Sequence, residues 1–159
     1  MKRCFVVILA LSSISLFGAQ KKDHAVIFME VLLLQRKMEA QNNKKIASVL
    51  EPYVSQEECK KVNAYFKEVR AALPKPTLAK ITEVYCRKNY SGAWELVTAD
   101  LKKALFNYYQ ESSSVMKQAK ERAAKANPDF VKLKEYELIE KMLAVYDLTI
   151  KMLEIAAKD

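Results

Sequence analysis

Two glycines in 159 residues, Gly18 and Gly92, constrain this chain more than any motif in it. Tight turns and close backbone approaches favour glycine, and with only four prolines as well the chain has too few turns for a barrel or sandwich. The same scarcity excludes the glycine-rich loops that cradle nucleotide phosphates or a dinucleotide. A single histidine, His24, with Cys59 and Cys86, the two cysteines beyond the N-terminal apolar stretch, is too few for a zinc cage of usual composition, and no C-x-x-C-H is present for haem attachment.

Met1-Lys2-Arg3 is a short basic start. Cys4 to Phe17 is apolar apart from three serines, and Gly18-Ala19 precedes polar Gln20-Lys21-Lys22-Asp23. This order is that of a secretory signal, read here as residues 1–19 and cleaved. The alternative is a retained anchor, but Cys4 to Ala19 is shorter than the roughly 20 residues a span needs. Export places the protein in the periplasm or outside the cell. It leaves residues 20–159 as one domain, with no stable membrane span and two cysteines, Cys59 and Cys86. In an oxidising compartment an even pair is expected as a disulfide; two separate buried thiols are the alternative if export is wrong.

The remainder reads as helix throughout. A first helix opens at Asp23 and runs to about Ala40, and a short second one follows Asn42-Asn43 and stops before Pro52. Ser55 caps a third, with Glu58 completing a capping box. Its apolar residues Cys59, Val62, Phe66, Val69 and Leu73 recur every three or four positions. Pro74-Lys75-Pro76 turns the chain into a fourth helix from Thr77, closed by Ser91-Gly92. A fifth runs from near Ala93 to about Ala126, loosened at Ser112-Ser113-Ser114. Asn127-Pro128-Asp129 starts a sixth that reaches about Ala157.

The expectation is an all-α, single-domain helical bundle of five to six helices with a long C-terminal helical hairpin and one disulfide. An antiparallel third and fourth helix would bring Cys59 and Cys86 to comparable heights. Closing that 28-residue loop would contribute roughly 3.5 kcal/mol in the chain-entropy account.

Within the first helix, Ala25 to Leu34 holds nine apolar residues in ten. Either it is a central bundle helix, or it keeps an apolar face for a partner, a ligand or a second copy. The candidate binding face is Ile27, Phe28, Val31, Leu32 and Leu34. Glu30, alone in this run, is a candidate perturbed carboxylate if buried. The sixth helix carries two apolar stripes, one through Phe130, Leu133, Tyr136, Ile139, Leu143, Tyr146, Ile150 and Leu153. The other passes through Val131, Leu138, Val145, Leu148, Met152 and Ile155. Acid–lysine pairs four residues apart, Glu137-Lys141, Asp147-Lys151 and Glu154-Lys158, mark its wet side. The end of the fifth helix offers mostly small residues against Phe130, Val131, Leu133 and Tyr136. That is either small-against-large packing or a surface suited to binding.

Loss of Lys2 and Arg3 with the signal lowers the net charge from +8 to +6. Four of the remaining 25 basic residues are arginine, a composition that argues against nucleic acid as partner. Catalysis has no motif: no second histidine exists, a disulfide would occupy both thiols, and Glu57-Glu58 is explained by capping. His24 with Met29 or Met142 lacks a diagnostic spacing for haem or copper, so no metal and no cofactor are expected. The expected function is non-enzymatic: binding another protein, or a second copy, through an apolar helix face. The alternatives are a carrier of a lipid or other apolar small ligand, and a holdase-like extracytoplasmic chaperone.

Overall fold

Ser55 accepts a hydrogen bond from the Glu58 backbone N–H at 3.2 Å, and the Glu58 carboxylate accepts from the Ser55 N–H at 2.7 Å. The capping box read from the sequence therefore forms, and it starts a helix at Gln56. The computed structural model describes residues 21–157, with the side chains of 21–25, 28 and 32–37 outside the description. The expected export signal, residues 1–19, lies outside the described residues.

Six α-helices occur among the described residues, and no strand. They are α1 (Lys21–Leu50), α2 (Gln56–Ala72), α3 (Lys75–Cys86), α4 (Tyr90–Glu95), α5 (Ala99–Ala126) and α6 (Lys134–Ala156). Short 3₁₀ turns at Glu51–Tyr53 and Pro128–Lys132 join α1 to α2 and α5 to α6. The long C-terminal hairpin is α5 with α6. Ser113 meets Asp147, and Lys120 meets Glu140 nearer the turn, so the two run antiparallel. α2 lies antiparallel on the other side of α5, with Glu58 on Arg122 and Phe66 against Tyr108. α1 packs mainly on α6, while α3 packs on α4, which packs on α1.

Several boundaries differ from the sequence reading, each for a physical reason. The first two expected helices are one: α1 passes through Asn42-Asn43 without a break. Asparagine is only a weak helix breaker, and continuing the helix buries Ile46 and Leu50. Ser91-Gly92 does not close a helix but lies inside α4, whose N-cap is Asn89. The Asn89 side chain accepts from the Gly92 N–H at 2.9 Å, and a methyl at Gly92 would lie 2.5 Å from its amide nitrogen. The fifth helix begins at Ala99 rather than near Ala93, because Thr98 caps it by accepting from the Leu101 N–H. It runs unbroken through the three serines, with Ser112 and Ser113 buried. Asn127 does cap, but the element it caps is the 3₁₀ turn, and α6 starts at Lys134. Its 23 residues span about 35 Å at 1.5 Å each.

The expected Cys59–Cys86 disulfide is also corrected: both cysteines are free and exposed. Pairing required α2 and α3 to fold back on each other. They diverge after Pro74 instead, α2 onto α5 and α3 onto α4, and no contact joins them.

The end of α3 carries a local strain. Lys88 is at φ 59°, in the left-handed region. Its N–H donates to Tyr85 and that of Asn89 to Val84, the bond pattern of a Schellman motif, whose left-handed position usually holds glycine. Lys88→Gly should therefore stabilise the protein by about 1 kcal/mol. The readout is a rise in Tm of roughly 3 °C; a fall would mean that the Lys88 side chain itself holds the turn.

Candidate functional site

The apolar block of α1 is at least partly core. Val31 is 2% exposed and Met29 is buried with it, whereas Ile27 is half-buried. The side chains of Phe28, Leu32 and Leu34 lie outside the described residues. Glu30 is exposed, so the burial behind its selection as a perturbed carboxylate is absent. Its charge is felt at Tyr85, whose phenol is raised above the ordinary tyrosine range by burial first, then by Tyr90 and Glu30.

Two polar clusters join α5 and α6 to each other or to α1, and sequence spacing suggested neither. In one, Asp147 accepts from Ser113 at 3.0 Å and from the Lys117 ammonium at 2.9 and 3.0 Å. Asp147, whose side chain is 44% exposed, thus sits at the edge of the α5–α6 interface and pairs across it. In the other, the Tyr146 hydroxyl donates to Glu39 at 3.2 Å beneath a row of rings formed by Phe66, Tyr108, Tyr109 and Tyr146. Burial, followed by the Glu39 carboxylate, raises the Tyr146 phenol far above the ordinary tyrosine range.

Ser113 is buried, with its hydroxyl donating to the Asp147 carboxylate. Among the described residues no group of three or more His, Cys, Asp or Glu is placed to hold a metal ion. Met29 and Met142, the thioethers weighed beside His24, are both buried in the core.

At the α5–α6 turn, the small-against-large packing forms. Ala119 and Ala123 are fully buried, and the 3₁₀ turn with buried Phe130 packs on α5. Phe130 meets Tyr136 edge to face at 5.6 Å. Val131 and Leu133 stay outside this packing, 48% and 41% exposed. No helix among the described residues is long and apolar enough to cross a membrane.

The opposite end of the hairpin holds an open-sided cleft of about 830 Å³. Its α5 wall is Ala99, Lys102, Lys103 and Phe106, which share a face because they are three or four residues apart. The other wall is Leu153, Glu154, Ala156 and Ala157 at the end of α6. Alanines at three lining positions leave the space open, and buried Leu153 with half-buried Phe106 gives it an apolar floor. Lys102 is held with its ammonium 4.3 Å from the centre of the Trp94 ring.

The charges around this cleft oppose the helix dipoles. Lys102 and Lys103 lie near the positive end of α5, and Glu154 lies in the last turn of α6, at its negative end. Among the described residues neither lysine makes an ion pair. Sequence reading missed these residues because it began the fifth helix near Ala93, which put both lysines away from a helix end. The Thr98 cap was the signal that would have exposed the mismatch. Compared with known proteins, the chain matches no protein-family model, no curated protein and no solved structure.

Proposed function

We propose that the protein works by binding and not by catalysis, and that it holds a small ligand with an apolar body in the cleft between the start of α5 and the end of α6. The observation that carries this reading is the concave apolar floor of Phe106 and Leu153 in a cleft of about 830 Å³. That size falls within the roughly 300–1,000 Å³ of small-molecule sites. Export directed by residues 1–19 gives the setting, periplasmic or secreted, and a carrier of an apolar molecule suits it.

The test is titration with an uncharged apolar fluorophore, N-phenyl-1-naphthylamine. Saturable one-to-one binding is expected, lost in Ala99→Phe/Ala157→Phe, where two exposed alanines are enlarged into the cleft. The melting temperature of that variant should barely move. Absence of saturable binding, or binding that survives the filled cleft, would overturn the reading.

Docking of another protein is the second reading, and exposed Val131 and Leu133 favour it. It moves the docking surface from α1, where Val31 is core, to the tip of the hairpin. Val131→Ser/Leu133→Ser should then abolish partner cross-linking without changing stability, while the cleft-filling variant retains it.

A further inference from the structure

We infer that the cleft selects a fatty acid: a single-chain amphiphile whose carboxylate is taken by Lys102 and Lys103 while its chain lies on Phe106 and Leu153. The inference rests on the cleft being a ligand site and goes further, to the class of ligand. Charge complementarity carries it. The α5 wall carries two consecutive lysines without an ion-pair partner among the described residues. Directly below them on the same helix face is Phe106.

Lys102 is the better prepared of the two. It is half-buried, and the Trp94 ring restrains its ammonium, so less side-chain freedom is lost when an anion binds. Glu154, the one acid in the lining, stands on the opposite wall. It repels a carboxylate from the α6 side and so directs the headgroup to α5, which fixes the orientation of the chain. A neutral ligand would leave both ammonium groups unused. A dianionic or bulky headgroup would be pressed towards Glu154.

Trp94 is the only tryptophan in the chain, so its fluorescence reports directly on the ammonium above it. The experiment compares dodecanoate with dodecanol, both kept below aggregation, on the full protein and on Lys102→Gln/Lys103→Gln. A melting curve first verifies that the variant is folded. Dodecanoate should bind the parent about tenfold more tightly than dodecanol, as expected for charge-assisted hydrogen bonds. The double variant should lose that preference while dodecanol binding is unchanged. Equal affinities in the parent, or a preference that survives the double substitution, would overturn the fatty-acid assignment and leave the cleft reading intact. Failure of both ligands to bind the parent would overturn the two together.

Discussion

Met142→Ala should lower stability by about 2–5 kcal/mol, whereas Met142→Leu should cost less than about 1.5 kcal/mol. Met142 is 0% exposed, as are Ile139 and Thr149 on the same helix. Its position explains why. The two apolar stripes of α6 are about 160° apart, and Met142 and Thr149 lie between them. A helix with α5 on one side and α1 on the other buries most deeply the residues midway between its two contacts. Truncating Met142 opens a cavity that two neighbouring helices must both shift to close, while leucine nearly conserves the volume. Chemical denaturation at neutral pH separates the cases. Similar small losses for both variants would mean that the centre of the bundle is loosely packed.

The same helix shows which parts of the fold could be read from the sequence. Periodicity within one helix is a local property, so the stripe through buried Ile139, Leu143, Tyr146 and Leu153, the Ser55–Glu58 box and the Asn127 cap were legible, whereas the other stripe holds no buried residue and is exposed at Val131 and Ile155. Features decided by distant chain were not legible. Asn42-Asn43 reads as a boundary by local preference, yet burying Ile46 and Leu50 favours continuing the helix. Asp147 has Lys151 at the favourable spacing, but it pairs with Lys117 and Ser113 from the neighbouring helix. The disulfide failed for the same reason: the prolines end α2 legibly, but the direction taken by α3 depends on α4, which no spacing in the sequence reveals.

The candidate site was the least legible part. Residues some 50 positions apart line the cleft, and three of them are alanines, which carry no chemical signal. What marked it was a conflict between charge and helix polarity at Lys102, Lys103 and Glu154, visible only once Thr98 fixed where α5 begins. By contrast, the most conspicuous stretch in the sequence, the apolar block of α1, supplies Met29 and Val31 to the core. An apolar run is a strong signal of burial, and burial is what these two residues do.

Acid should weaken the fold through Glu58. Arg122 grips this carboxylate with two hydrogen bonds, 2.9 and 2.7 Å, and the Ser55 N–H adds a third. The Arg122 hydrogen bonds foremost, then that of Ser55, hold Glu58 at about 2, against an ordinary value of 4.5. Because the folded value lies below the unfolded one, the unfolded chain takes up the proton first as pH falls. The contribution to stability is therefore complete above about pH 5 and is lost progressively towards pH 2. Glu58→Gln separates charge from capping, since glutamine also serves at this position of a capping box. It should cost about 1–2 kcal/mol at neutral pH, a figure reduced by the solvent screening of half-exposed Arg122. The cost should shrink as the parent is acidified, so the stability curves of parent and variant converge near pH 2. Denaturant midpoints measured from about pH 6 to pH 2 test this directly. Curves that stay parallel throughout would assign the acid sensitivity to another carboxylate and reduce the Arg122–Glu58 contact to a surface pair of little consequence.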